Sequence, residues 1–226
     1  MLGTIVNSVA IIIGGALGLL LKKGIPERLS DAVMKGLSLC VLYIGIDGCL
    51  KGSNVMITII SVVIGALIGE AIDLDHKLKK LGDLIEKKFK SKGSKISIAE
   101  GLVTSSLLFC VGAMAVVGSL QSGLVGDHSM LYTKSMLDFT AAIIFAASLG
   151  IGVLFSSAFV FLYQGSITIL ASFISPYLGD MVIAEMTCIG SLLIIGLALN
   201  MLGVTKLKVM NYVPAIFLPI ILSLFI

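Results

Sequence analysis

The sequence is poor in the residues that soluble proteins place at their surfaces. Only 13% of its 226 residues are Asp, Glu, Lys or Arg, it has two histidines and four prolines, and it has no tryptophan. A soluble domain carries about a quarter charged residues, so the shortage of charge excludes an ordinary soluble protein. What is present is 58% hydrophobic, with a mean hydropathy of +1.12. The composition predicts an all-α fold, a polytopic bundle of transmembrane helices.

Motifs for catalysis and for metal binding are missing as well. The sequence contains no Gly-rich phosphate loop, no G-x-S-x-G and no H-E-x-x-H. Its two histidines, His76 and His128, lie in predicted loops without metal-ligand spacing. The cysteines lack C-x-x-C spacing and are interpreted as small packing residues: Cys40, Cys49, Cys110 and Cys188. The sequence therefore predicts that the protein is not an enzyme and has no cofactor and no metal site.

Apolar runs of about 18–20 residues, each long enough to cross a bilayer, recur along the whole chain. They predict eight spans in a single transmembrane domain over 1–226, at about 4–21, 30–50, 55–72, 98–124, 138–155, 157–174, 183–203 and beyond 208. Residues 121–137, with Lys134, are predicted as the loop before span 5. The turn between spans 5 and 6 is placed near Phe155–Ser157. If 155–175 instead re-enters the membrane, the number of spans is seven.

The basic residues are segregated along the chain. Residues 73–97 have leucines at helical spacing and eight lysines from Lys77 to Lys95, which predicts an amphipathic helix on the cytoplasmic membrane surface. With both termini outside, 14 of the 16 Lys and Arg residues lie on the cytoplasmic side. Only Lys51 and Lys134 then lie outside. No aromatic platform accompanies the basic segment, so the lipid bilayer is the expected partner and nucleic acid is not.

Span 4 has a weak copy later in the chain. At an offset of 85 residues, 98–100 (Ile-Ala-Glu) match 183–185 (Ile-Ala-Glu). Spans 4 and 7 run in opposite directions in the predicted topology, so spans 2–4 and 5–7 are candidates for an inverted repeat, as in many secondary transporters. A second match, 10–12 on 142–144, pairs spans 1 and 5 in parallel instead. One simple duplication cannot produce both matches.

Six polar residues within or at the ends of the spans are candidates to line a path for a solute or ion: Asn7, Glu70, Glu100, Gln164, Glu185 and Asn200. Intramembrane carboxylates are unfavourable and usually face an interior, a partner or water. Glu100 also fits a capping box with Ser97 at a helix start, whereas Glu185 has Val182 at the corresponding position. Glu185 is therefore the stronger candidate to bind a cation or proton. Glu70 equally fits a boundary residue, and the amide side chains often only form hydrogen bonds between helices.

Short motifs along the whole chain resemble those of one bacterial family. They are Gly3–Asn7, Gly65–Glu70, Glu100–Thr104, Leu107–Gly112, Lys134–Asp138, Gly150–Val153, Tyr163–Ser166, Gly196–Asn200 and Asn211–Ala215. By these motifs the chain is similar, end to end, to the domain-of-unknown-function 554 family of proposed inner-membrane transport proteins. The resemblance implies an integral protein of the bacterial cytoplasmic membrane, and it implies no substrate. Where the family pattern has Gly-Pro-Met-Ala, this chain has Gly112-Ala113-Met114-Ala115, so the centre of span 4 is expected to be unkinked.

Two functions are compatible with these observations. A secondary transporter or channel for a small solute or ion would use the six polar residues as its path. In a non-transporting scaffold or assembly protein the same residues would serve helix packing. The small-residue faces of spans 1 and 3 would then bind a partner, including a second copy in a homodimer. Access of water to the polar residues distinguishes the two functions.

Overall fold

The computed structural model describes residues 1–22, 27–77, 80, 98–111 and 113–223, and its elements are all helical within that part of the chain. The α-helices are α1 (Leu2–Lys22), α2 (Glu27–Cys49), α3 (Val55–Ile72), α4 (Ile98–Cys110), α5 (Ala113–Leu124), α6 (Ser129–Leu149), α7 (Gly152–Ile169), α8 (Ala171–Ile174), α9 (Asp180–Met201) and α10 (Leu218–Leu222). Two 3-10 helices span Ser175–Tyr177 and Val209–Phe217. The second runs directly into α10, and Val209–Leu222 is called the C-terminal segment below.

Five of these helices are long and apolar enough to cross a membrane: α1, α3, α6, α7 and α9. The pair α4–α5 is a sixth candidate if it forms one bent span. At about 1.5 Å per residue, a helix of 20 residues is about 30 Å long, the thickness of a hydrocarbon core. The predicted class, an all-helical protein with several membrane-length helices, is confirmed in this coarse form.

The described helices group into two compact units. Unit 1 comprises 1–31, 78–110 and 114–173, and unit 2 comprises 32–77, 111–113 and 174–226. Unit 1 thus contains α1 and α4 to α7, and unit 2 contains most of α2 together with α3, α9 and the C-terminal segment. The prediction that 1–226 form a single transmembrane domain stays a prediction.

In unit 1, α1 packs along α6 and the two helices run parallel. Gly3 lies against Leu131 near the start of both helices, and Gly18 lies against Ile143 farther along. A Cβ atom at Gly18 would overlap the carbonyl oxygen of Ile143, so glycine permits an approach that larger residues would prevent. Gly14 has the same role one helical turn earlier. The small-residue face predicted for span 1 is therefore used inside the unit.

Helix α7 runs antiparallel to α1 and parallel to α4. Thr4 of α1 lies beside Thr168 near the end of α7. The first residue of α7, Gly152, packs against the backbone of Ile98 at the start of α4. Helix α1 therefore contacts both α6 and α7, and this arrangement brings polar side chains from three helices together.

Unit 2 is built around α3 and the C-terminal segment, which run antiparallel. Gly65 packs on Ala215 and Gly69 packs on Asn211. A Cβ atom at either glycine would overlap backbone atoms of the segment. The small-residue face of span 3, like that of span 1, is thus covered within its own unit. A homodimer stays a prediction.

Two predicted boundaries around spans 5 and 6 are wrong. The turn between them lies at Gly150–Ile151 and not near Phe155–Ser157, because Gly150 adopts a φ of 84°, which glycine permits and other residues rarely adopt. Helix α6 begins at Ser129, so most of the predicted loop 121–137 is helical and Lys134 lies inside a helix. Polar residues in the first turns of α6 gave this stretch the composition of a loop.

Span 4 is not one continuous helix. Helix α4 ends at Cys110, α5 begins at Ala113, and the two helix axes differ by 61°. The expectation of an unkinked centre is therefore wrong. The sequence has Gly112 between the two helices. A glycine lowers helix stability by about 1 kcal/mol relative to alanine, so the sequence favours a break here although position 113 is not a proline. The predicted amphipathic segment 73–97 lies almost wholly outside the described residues.

Candidate solute or ion site

A buried polar cluster lies in unit 1 where α1, α6 and α7 meet. It consists of Asn7, Lys134, Asp138 and Gln164 and is called the unit 1 polar cluster below. The Lys134 ammonium donates to both carboxylate oxygens of Asp138, at 2.9 and 2.7 Å. The Asn7 Nδ2 donates to Asp138 Oδ2 at 2.9 Å and to Gln164 Oε1 at 3.3 Å. Four side chains from three helices thus form one hydrogen-bonded network.

Helix geometry explains how these side chains meet. Lys134 and Asp138 are four residues apart, so they lie on the same face of α6. Asn7 near the start of α1 meets Gln164 near the end of α7 because these helices are antiparallel. At about 1.5 Å per residue, Asp138 lies about 14 Å from Ser129, the first residue of the 21-residue α6. Asp138 therefore lies near the middle of α6, whereas Asn7 and Gln164 lie about 7.5 Å from the start of α1 and from the end of α7.

All four side chains of the cluster are buried. Asn7 and Gln164 are 0% exposed, Lys134 is 7% exposed and Asp138 is 6% exposed. Removing an ion from water costs several kcal/mol even in a paired state, and pairing keeps the net charge of the cluster at zero. Two atoms have no hydrogen-bond partner among the described residues, Oδ1 of Asn7 and Nε2 of Gln164. The cluster therefore offers one free acceptor and one free donor group beside two opposite charges.

Two hydroxyl groups continue the polar surface away from the cluster. Thr4 lies one helical turn before Asn7, and Thr168 lies one turn after Gln164. Both threonines are buried, and their Oγ1 atoms are 3.5 Å apart. The polar groups of α1 and α7 thus extend from the cluster towards the start of α1.

Glu185 is fully buried in unit 2, and its carboxylate accepts four hydrogen bonds. Its Oε1 accepts from the backbone N–H groups of Ser53 and Asn54, at 2.6 and 2.7 Å, and from Ser53 Oγ at 3.1 Å. Its Oε2 accepts from Thr58 Oγ1 at 3.2 Å. The donors belong to the α2–α3 loop and to the first turn of α3, so Glu185 ties this loop to α9. That it also binds an ion stays a prediction.

A second polar group of unit 2 is more open to solvent. Glu70 accepts hydrogen bonds from Lys208 Nζ at 2.7 Å and from Asn211 Nδ2 at 2.6 Å, and Asn211 Oδ1 accepts from the backbone N–H of Asp75 at 2.8 Å. The hydrogen bond to Glu70 raises the pKa of Lys208. A cavity of about 450 Å³ lies here, lined by Ala66, Leu67, Glu70, Ala71, Asn211 and Tyr212.

Comparison with known proteins identifies the family of the chain. The profile of a family described as "Protein of unknown function (DUF554)" matches residues 2–224. The chain belongs to the DUF554 family. It is 33% identical over 223 residues to "Uncharacterized membrane protein YdfK" of Bacillus subtilis (strain 168), covering 97% of this chain and 94% of the relative. It is 32% identical over 225 residues to "Uncharacterized protein YqgA" of Escherichia coli (strain K12), covering 98% and 96%. No solved structure matches the chain.

In this DUF554 protein, two of the six predicted path residues come together, Asn7 and Gln164. Glu185 and Glu70 belong to the separate networks of unit 2. Asn200 closes a turn after α9, where its side chain bonds the backbone N–H and carbonyl of Leu207.

Glu100 lies in the first turn of α4. Its predicted capping partner, Ser97, lies outside the described residues, so the capping box stays a prediction.

The two charged members of the cluster are not among the six predicted path residues. The sequence predicts Asp138 at the start of span 5 and Lys134 in the loop before it. A usable signal was present, because a lysine and an aspartate four residues apart form a pair on one helix face. Asn7 is among the predicted path residues, but no signal in the sequence indicates that it contacts Asp138, which is 131 residues away.

Proposed function

We propose that this DUF554 protein is a multi-pass protein of the bacterial cytoplasmic membrane that moves a small polar solute or ion, as a secondary transporter or channel, with the unit 1 polar cluster as its binding site. One observation carries the proposal. The buried ion pair of Lys134 and Asp138 lies within the membrane-length helix α6, next to amide groups of Asn7 and Gln164 that each have one atom without a partner among the described residues. Ionisable residues at such depth usually mark a substrate or ion pathway.

The energetics favour transport over a purely structural role. Replacing a buried ion pair by apolar side chains of similar volume is often neutral or stabilising by about 1–4 kcal/mol, so helix packing alone does not need Lys134 and Asp138. Each buried polar group left without a partner costs about 1–3 kcal/mol. The free atoms of Asn7 and Gln164 therefore represent a penalty that a bound ligand would remove.

The proposal includes eight spans with both termini outside. Besides the membrane-length helices, α2 and the C-terminal segment would cross. Within unit 2, α2 runs antiparallel to α9, since Gly45 lies against Ile195 and Gly48 against Ser191. The C-terminal segment likewise runs antiparallel to α3. These directions agree with a chain that crosses the membrane at every step, and the distribution of basic residues favours a cytoplasmic location for the segment 73–97.

Internal contacts of the two units support the predicted inverted repeat. In unit 1, Asn7 of α1 bonds Gln164 of the antiparallel α7. In unit 2, Asn211 of the C-terminal segment bonds Glu70 of the antiparallel α3. Helix α4 starts beside the start of α7, and α9 starts beside the start of α3, where Glu185 is bonded. In this comparison span 6 of unit 1 is equivalent to span 3 of unit 2, and span 4 is equivalent to span 7, as in the proposed repeat of spans 2–4 and 5–7. Spans 1 and 8 are a further equivalent pair.

The experiment is uptake by liposomes that contain the purified protein. A panel of monovalent cations, anions and amino acids is supplied outside, and wild type is compared with Asp138→Asn. The matched control is Thr140→Ala, because Thr140 lies on the same helix, is exposed, and bonds only the backbone of its own helix.

We expect wild type and Thr140→Ala to take up at least one solute at equal rates. Asp138→Asn should reduce that uptake about tenfold or more, as expected when one charge-assisted contact worth about 1.5–3 kcal/mol is lost. If folded wild-type protein takes up none of the solutes, the scaffold function is favoured instead.

A further inference from the structure

We propose that the ligand of the unit 1 polar cluster is a small zwitterion, a molecule with one ammonium and one carboxylate group, as in an α-amino acid. This inference rests on the transport function proposed above and names the substrate class of the same site. It follows from the charges of the cluster and from the two atoms without partners.

The net charge of the cluster decides between classes of ligand. Lys134 and Asp138 carry opposite charges, and both are buried. A lone cation or a lone anion would add a net charge to a site that has none, and an uncompensated buried charge is strongly unfavourable. A zwitterion adds none. Its carboxylate can pair with Lys134 while its ammonium pairs with Asp138, so every charge keeps a partner.

The unpartnered atoms match the same ligand. The Nε2 of Gln164 is a free donor, and an ammonium group cannot use it, whereas a carboxylate can. The Oδ1 of Asn7 is a free acceptor, and a carboxylate cannot use it, whereas an ammonium group can. A ligand with only one of the two groups would leave one of these atoms unsatisfied. A zwitterion satisfies both.

The cluster can also exist without its ligand. Lys134 donates to both oxygens of Asp138, and Asn7 Nδ2 supports the same carboxylate. The two charges therefore neutralise each other when no ligand is bound. Binding would exchange one internal ion pair for two pairs with the ligand, with no proton transferred and no covalent bond changed. The site thus has a stable state before uptake and after release.

The test is a binding series on the purified full-length protein in detergent, measured by equilibrium dialysis with radiolabelled probes. Glycine is the zwitterion, methylammonium has only its ammonium group, and acetate has only its carboxylate. Trimethylglycine keeps both charges but has no N–H donors. We expect glycine to bind about 10- to 100-fold more tightly than each of the other three, the range that one lost charge-assisted hydrogen bond produces.

Two variants add a readout that a structural role would not change. In Lys134→Met the negative charge of Asp138 has lost its counter-ion, so this variant should lose glycine binding and prefer methylammonium over acetate. In Asp138→Asn the positive charge of Lys134 has lost its counter-ion, so this variant should prefer acetate over methylammonium. Thr140→Ala should bind the series as wild type does. If either variant does not fold, the wild-type series decides by itself.

Two results of the binding series would overturn the inference. One is that the wild-type protein binds glycine no more tightly than it binds acetate or methylammonium. The other is that the two variants do not differ in their preference between these two ions.

Liposome uptake distinguishes the zwitterion proposal from the transport proposal. Uptake of a cation or an anion without any uptake of glycine refutes the zwitterion and leaves transport intact. Tight glycine binding without uptake of any solute supports the zwitterion site and refutes transport.

Discussion

The carboxylate of Glu185 allows a quantitative prediction, because its hydrogen bonds in unit 2 are well defined. It accepts two short bonds from the backbone N–H groups of Ser53 and Asn54 and two from the hydroxyls of Ser53 and Thr58. Glu185→Gln keeps one oxygen for the N–H groups but removes the charge. Charge-assisted bonds contribute about 1.5–3 kcal/mol and neutral bonds about 0.5–1.5 kcal/mol. The bonds from the two backbone N–H groups then change from charge-assisted to neutral, which predicts a loss of about 2 kcal/mol in the free energy of unfolding.

Glu185→Ala should be worse than Glu185→Gln. It leaves the N–H groups of Ser53 and Asn54 without an acceptor, at about 1–3 kcal/mol each, which predicts a loss of about 2–6 kcal/mol. The assay is unfolding in mixed micelles by titration with a denaturing detergent. Hydrogen exchange of the backbone at residues 51–57 should accelerate in both variants. Met181→Ala, an exposed position near the start of α9, is the control and should change the free energy of unfolding by less than about 0.5 kcal/mol.

Two results would refute this reasoning. One is equal stability of wild type, Glu185→Gln and Glu185→Ala. The other is Glu185→Gln with unchanged stability and exchange but without transport, which would assign Glu185 to the ion path and not to the loop.

Three further predictions concern the same unit. Gly69→Ala should lower the free energy of unfolding by about 1–3 kcal/mol, because its Cβ would overlap the carbonyl oxygen of Asn211. A Cβ atom at Gly36 would have no atom of the described residues within 4 Å, so Gly36→Ala should be neutral or slightly stabilising in the same titration. Asn200→Ala removes three hydrogen bonds that close the turn to Leu207 and should cost about 1–3 kcal/mol, with faster hydrogen exchange confined to 202–208. Lys208→Ala breaks an ion pair with Glu70 that is exposed to solvent and screened, so the melting temperature should not change at moderate salt.

The class of the fold could be predicted from sequence because it depends on local composition. Apolar runs such as 55–72 and 183–203 are long enough to span a bilayer whatever their neighbours are. The position of the turn at Gly150 could not be predicted, because several glycines and serines in this run have similar turn propensity. The break after Cys110 lies where the sequence has a glycine and no proline, and a single glycine is only a weak signal for the end of a helix.

The candidate site was predictable only in part. Asn7 and Gln164 could be selected one by one, since amides inside apolar helices are uncommon. Their meeting with Asp138 depends on which helices are neighbours, and that choice depends on glycine contacts such as Gly18 against Ile143. Such contacts join residues more than 120 positions apart, and no local pattern encodes them.

The most direct test of transport is to measure whether water reaches the unit 1 polar cluster. In a background without the four native cysteines, Thr168→Cys is probed with a membrane-impermeant thiol reagent. Leu162→Cys, an exposed apolar position on the same helix, reports the lipid-facing side, and Asp127→Cys in the α5–α6 loop reports full access. A transport path predicts labelling at 127 and 168 but not at 162. Labelling at 127 with complete protection at 168 would contradict the account.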